Sequence, residues 1–241
     1  MSGHSHWKSI KYQKTAADAK KSQAFSKISR EITVAARSGG SDPTFNSKLR
    51  LVIEKAKEVG MPADNIERAI KRGTGELTGE KLEEVVFEAY GPGGIAIIIE
   101  GITDNKNRSL GEVKKTLNEY GGKLVGEGSV RWMFERKGCL TINASAQIKS
   151  KEELEIMAIE AGAEDICWHE DVLDVYTKTE ELDKVKKNLE EKGVKIESAS
   201  LDWVPKEKVQ VEEKTKEACQ NLFEALDDLD VVQEIYSNLK I

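Results

Sequence analysis

Hydrophobic spacing along this 241-residue chain changes period at one place, the Gly-rich stretch Gly73–Lys81 (GTGELTGEK), and that change divides the fold. Before it, Phe25, Ile28, Ile32 and Ala35 recur at helical spacing in a helix expected over residues 16–37 and stopped by Gly39 and Gly40. A second helix is expected to take Asp42 as N-cap and Pro43 in its first turn, to bury Phe45, Leu49, Val52, Ile53 and Ala56, and to end at Gly60. A third runs from about Pro62 to Arg72 with Ile66, Ala69 and Ile70 inward, Asp64 and Glu67 early, and Lys71 and Arg72 at its C-terminus. Three helices around a small core thus account for residues 1–75.

Past the break the pattern is that of strands. One is expected at 83–90, a Gly91-Pro92-Gly93-Gly94 turn follows, then a buried strand at 95–102, a helix at 106–120 and an alternating strand around Val130, Trp132 and Phe134. From Cys139 the order reads strand 140–143, helix 151–161, strand 165–169, strand 172–177, helix 180–192 and strand 195–203. That βαββαβ order is the ferredoxin-like split pattern. A helix at 213–226 leads to residues 231–237, which fit either a strand or a helical turn; as a strand they rejoin the sheet begun at residue 83. The expectation is an α+β chain of three domains: a basic helical domain (1–75), a discontinuous middle domain (76–135 plus 204–241) and a ferredoxin-like domain (136–203) inserted into it.

Charge follows the same division. Residues 1–75 hold 15 Lys and Arg against 7 Asp and Glu, a net of +8, while residues 76–241 hold 22 against 36, a net of −14. Concentrated cations beside an acidic remainder are an electrostatic footprint for phosphate, because each cation laid on a nucleic-acid backbone releases counterions. On a helical wheel Lys20, Lys27, Arg30 and Arg37 fall opposite the apolar stripe of the first helix, which predicts one packed face and one cationic face. Near the start, Trp7 and Tyr12 alternate with Lys8, Lys11 and Lys14. Their rings either stack on bases while the lysines hold phosphates, or Trp7 staples the segment to the helical core.

Signals for catalysis and cofactors are poor. In Gly73–Lys81 the lysine follows Glu80, and Leu82 replaces the Ser or Thr a phosphate-binding loop requires. Gly91–Gly94 reads as hairpin chemistry. His169, beside Glu170 and Asp171, reads as part of a solvated turn, and no Ser or Cys has an evident His and Asp partner. His4 and His6 form an incomplete metal-ligand set, and the spacing of Asp227, Asp228 and Asp230 departs from a calcium loop. Cys139, Cys167 and Cys219, widely spaced, read as reduced thiols. The longest apolar run, Ile95–Ile99, falls short of the roughly 20 residues that span a bilayer, and the N-terminus lacks the apolar core of a signal peptide. No catalytic residue, metal, cofactor or small-molecule substrate is expected, and the expected location is cytoplasmic.

The segments HSHWKSIKYQKTAADAKKSQAFSKISREITVAARSGG, NSKLRLVIEKAKEVGMPADNIERAIKRG and EAYGPGGIAIIIEGITDNKNRS resemble the YebC/PmpR family, and the likeness runs essentially the full length. The resemblance implies a three-domain fold and a nonenzymatic, DNA-binding transcriptional regulator of the bacterial, cytoplasmic form, without a transit peptide. It implies as an alternative a ribosome-associated translation factor that binds ribosomal RNA and eases synthesis of proline-rich stretches, as does a relationship to the mitochondrial translational activator of cytochrome c oxidase. What it maps onto this chain is a basic surface of Lys8, Lys11, Lys14, Lys20, Lys21, Lys27, Arg30 and Arg37, aided by Lys48, Arg50, Lys71 and Arg72. The acidic domains are left to set geometry or to meet protein. Asp104, Asn105, Asn107 and Arg108 are expected to cap the helix after the buried strand. A metal-dependent enzyme working in an interdomain cleft stands as a further competitor.

Overall fold

The computed structural model describes residues 18–240, with side chains from residue 21 on. In chain order the regular elements are α1 (Asp18–Gly39), α2 (Ser47–Glu58), α3 (Ala63–Thr74), β1 (Glu83–Tyr90), β2 (Ala96–Thr103), α4 (Lys106–Glu119) and β3 (Lys123–Val125). They continue as β4 (Phe134–Asn143), α5 (Lys151–Ala161), β5 (Asp165–His169), β6 (Val172–Thr177), α6 (Leu182–Glu191), β7 (Ser198–Pro205), α7 (Glu213–Asp227) and β8 (Val232–Ser237).

The three N-terminal helices bury Ile28, Ile32, Leu49, Ala56, Ile66 and Ala69 against one another. Close approach of α1 and α3 depends on Gly73: a Cβ there would run into the Thr33 carbonyl oxygen and sit 2.8 Å from the Ala36 methyl. At the same crossing the Thr33 hydroxyl donates to the Ala69 carbonyl at 3.1 Å. The start of α2 departs from expectation. Its cap is Asn46, whose side chain accepts from the Leu49 N–H at 3.0 Å while its Nδ2 donates to the carbonyls of Ala35 and Gly40. Asp42 instead accepts from the Thr44 N–H at 2.8 Å in a local turn, and Phe45 stands 87% exposed.

Two four-stranded antiparallel sheets follow, ordered β3-β1-β2-β8 and β5-β6-β4-β7. The second is the order of a ferredoxin-like unit, packed under α5 and α6 by Leu140, Ile142, Leu154, Val175, Val185 and Leu189. The first is covered by α4 and α7 over Phe87, Ile97, Ile99, Leu117, Leu222 and Phe223. Residues 232–237 are a strand that pairs antiparallel with β2, so the chain returns to the first sheet after building the second. The alternating strand expected around Trp132 is absent. Arg131–Met133 form a single 3-10 turn and Trp132 is 65% exposed. That turn is held by the Glu88 carboxylate, which accepts from the backbone N–H groups of Gly128, Val130 and Arg131 at 2.8, 2.8 and 3.1 Å. The short strand β3 carried no alternation and was not anticipated.

The sheets are joined around Glu100 on β2, which accepts from Arg136 at 2.8 Å, Trp203 at 2.9 Å and Tyr236 at 3.3 Å. The Arg136 guanidinium also lies 5.1 Å from the Trp203 ring centre. Among the described residues no helix is long and apolar enough to cross a membrane.

Candidate nucleic-acid interface

The face of α1 that looked free on the helical wheel is docked. Lys27 is 6% exposed and its Nζ donates to the Asp227 carbonyl at 2.5 Å, with the Asp227 carboxylate at 3.2 Å. One turn to either side, Gln23 donates to the Asp228 carbonyl at 3.0 Å and Arg30 to the Asp230 carbonyl at 2.6 Å. The Asp227 and Asp228 carbonyls lie at the C-terminal end of α7, where the helix dipole favours cations, and the Asp230 carbonyl lies in the turn just beyond it. Arg37 donates to the Leu82 carbonyl. This stretch therefore accepts from the N-terminal helix through its backbone carbonyls and the Asp227 carboxylate, while the Asp228 and Asp230 side chains stay exposed.

Other cations of the basic region are also engaged by acidic partners. Lys48 pairs with Glu84, Arg50 lies 2.5 Å from Asp183, and Lys55 sits 2.9 Å from Glu31 and 3.1 Å from Glu234. Lys71 pairs with Glu67 one turn away at 2.6 Å, and that hydrogen bond raises its pKa. Lys21 lies 5.7 Å from the Phe25 ring centre. Lys8, Lys11, Lys14, Trp7, Tyr12 and the Lys20 side chain fall outside the described residues, as do His4 and His6.

What faces solvent is α3. Arg68, Lys71 and Arg72 fall at i, i+3 and i+4 on its outer side, opposite Ile66 and Ala69, and Arg68 and Arg72 are exposed. Arg68 was missed on the sequence, although its spacing from Lys71 and Arg72 was the available signal. Lys57, exposed at the end of α2, was missed as well. Lys21 is exposed as well, and Lys48 and Lys71 keep about half of their side chains in solvent despite their carboxylate partners, at 51% and 42%. In the next domain Asn105 caps α4 by accepting from the Arg108 N–H at 3.1 Å, and Arg108 pairs with Asp104, as expected for that stretch.

One cluster overturns the reading of His169 as a solvated residue. It is 7% exposed, and its Nε2 lies 3.1 Å from Asp174, which also accepts from the Thr141 hydroxyl at 3.2 Å. Cys167 shares that face of β5 and is the cross-strand partner of Asp174. Its hydrogen bond with His169 lowers the thiol pKa to about 7, against the effect of burial. Burial alone would depress the imidazole, but hydrogen bonds to Asp174 and Cys167 override it and raise its pKa to about 9. Among the described residues no group of three or more His, Cys, Asp or Glu is placed to hold a metal ion.

Comparison with known proteins places this arrangement. Residues 5–76 match the TACO1/YebC protein N-terminal domain, and residues 82–239 match the TACO1/YebC second and third domain. A relative from Pseudothermotoga lettingae, named a probable transcriptional regulatory protein, is 51% identical over 241 residues, covering 100% of this chain and 94% of the relative. A relative of the same name from Thermotoga maritima is 49% identical, covering 100% and 94%. The crystal structure of the conserved hypothetical protein Aq1575 from Aquifex aeolicus superposes with a TM-score of 0.87 at 48% identity, covering 93% of this chain and 92% of that one. On full-length matches to both family segments and on a shared fold, this chain belongs to the TACO1/YebC family.

Proposed function

We propose that this chain is a nonenzymatic, nucleic-acid-binding regulator of gene expression, and that it binds DNA as a transcriptional regulator. The observation that carries the reading is the outer side of α3, where Arg68 and Arg72 are exposed beside Lys71, itself paired with Glu67 at the surface, on a domain of net charge +8. Phosphate contacts from such a surface position a protein on a nucleic acid without specifying bases. The basic N-terminal residues Lys8, Lys11, Lys14 and Lys20, with Trp7 and Tyr12, extend the same surface in this reading. Lys27, Arg30 and Arg37 hold the helical domain on the middle domain and serve the interface by fixing its orientation. The name shared by the relatives, probable transcriptional regulatory protein, favours DNA as the target.

Crosslinking in living cells, followed by sequencing of the attached nucleic acid, tests this. Promoter DNA is the expected recovery. Ribosomal RNA fragments alone would overturn the transcriptional reading in favour of translation, and no recovered nucleic acid would overturn binding altogether.

A further inference from the structure

Where α2, the outer face of the first sheet and the β7–α6 side of the second sheet meet, they enclose a cleft of about 740 Å³, within the roughly 300–1,000 Å³ of ligand sites. Its lining carries ten carboxylates against four cationic side chains. All four cations already have partners: Lys48 with Glu84, Lys55 with Glu31 and Glu234, Arg136 with Glu100, and Lys186 with Glu54 at 2.5 Å. Glu58, at the exposed rim of the cleft, has its pKa raised by partial desolvation and by the neighbouring Glu54 and Glu197, against the lowering effect of Lys186 and Lys55. Acid alone does not make a site.

The second observation is Gln233. This β8 residue lines the cleft, is only 6% exposed, and neither its Nε2 nor its Oε1 has a hydrogen-bond partner. A buried amide left unpaired on both atoms is rare in native proteins, and it is one of the features that mark a place a ligand completes. The amide needs an acceptor and a donor together. A peptide group supplies both, whereas an alkyl ammonium ion supplies only donors. Between the carboxylates the walls are apolar, at Leu51, Val86 and Leu182, which suits the methylene stems of lysine and arginine.

We propose that this cleft is a receptor for a short, extended Lys- and Arg-containing peptide segment of a partner protein, its main chain paired with Gln233 and its cationic side chains facing Glu58 and the neighbouring carboxylates. The site is separate from the nucleic-acid surface on α3, and its assay contains no nucleic acid.

The probe is a fluorescent, terminally blocked tetrapeptide alternating arginine and lysine, titrated against the full chain by anisotropy, with spermidine and magnesium as competitors. One-to-one binding is expected, with spermidine at least tenfold weaker as a competitor than unlabelled peptide. Glu58→Gln is expected to weaken the peptide at least fivefold. Gln233→Leu is expected to weaken it by a similar factor and yet to raise the thermal midpoint of the free protein, because it removes an orphaned amide; a purely structural role for Gln233 would not couple those two changes. Spermidine competing as well as the peptide would reduce the cleft to a non-selective cation trap and overturn the proposal. So would wild-type affinity in either variant, or no binding at all.

Discussion

Lys27 on α1 donates to the Asp227 carbonyl at 2.5 Å and faces the Asp227 carboxylate at 3.2 Å, a pair 200 residues apart in sequence and largely shielded from water. It binds the basic helical domain to the far end of the acidic middle domain. Removing one member of a buried charged pair leaves the other uncompensated, at a cost of about 3–5 kcal/mol. Lys27→Ala is therefore expected to lower stability in urea by about 3 kcal/mol, and a double-mutant cycle with Asp227→Ala is expected to give a clear coupling. Additive losses would mean that Lys27 acts through the Asp227 carbonyl, which the substitution leaves in place, and not through the carboxylate.

The cations on α3 are expected to behave differently. Reversing Arg68, Lys71 and Arg72 to Glu should weaken nucleic-acid binding at a cost in stability of about 1–2 kcal/mol, because Lys71 loses its surface pair with Glu67 and the last turn of α3 loses its favourable charges. The slope of log K against log salt should fall by about 0.9 for each lost duplex contact, or about 0.7 on a single strand. An unaltered slope would remove α3 from the interface.

Glu88 is 2% exposed and is held as a carboxylate. Burial would raise its pKa, but the N–H groups of Val130, Gly128 and Arg131 outweigh it and hold the pKa below the ordinary value of 4.5. A group with a depressed folded pKa contributes stability at pH above its unfolded value and loses it as pH falls through the folded one. Acid unfolding of the native chain should therefore include a term below about pH 4.5 that is missing in Glu88→Gln. At neutral pH, Glu88→Ala is expected to cost about 3 kcal/mol by stranding buried donors. Identical acid-unfolding profiles for the native chain and Glu88→Gln would refute the assignment.

Cys167 is expected to be the reactive thiol. Alkylation by iodoacetamide should rise with a midpoint at about pH 7, and His169→Ala should move that midpoint upward toward an ordinary thiol. Cys219, whose pKa burial pushes up to about 11, should label only after unfolding. Mapping by mass spectrometry decides the matter; a Cys167 midpoint indifferent to His169 would refute the pairing.

Gly73→Ala introduces a methyl group between α1 and α3 where the Thr33 carbonyl and Ala36 leave no room. Despite the better helix propensity of alanine, overpacking should prevail and destabilise by about 1–3 kcal/mol. A gain in thermal midpoint would show that the helices part easily.

Legibility in the sequence followed the range of the forces involved. Elements with a sustained period, such as α3 and α6, were readable because burial of one face imposes the pattern locally, and β2 was readable as a continuous apolar run buried on both faces. The start of α2 was not, since Asp42 and Asn46 are both good caps. Asn46 wins because its amide donates to Ala35 and Gly40 while its oxygen caps Leu49, and an aspartate has no such donor. Lys27 read as solvent-facing because its partner is set by tertiary docking, which leaves no periodic trace. The alternation of β5 puts Cys167 and His169 on one face, a spacing missed on the sequence, and finding Asp174 opposite required the β5–β6 register.

The return of the chain to β8 has a consequence for synthesis. While residues 232–237 are still inside the ribosome, β2 is an open edge whose backbone groups beside Ile97–Gly101 have no strand to pair with. The first sheet thus closes only once β8 has emerged, and a product truncated before residue 232 would carry a sticky margin that the folded chain conceals.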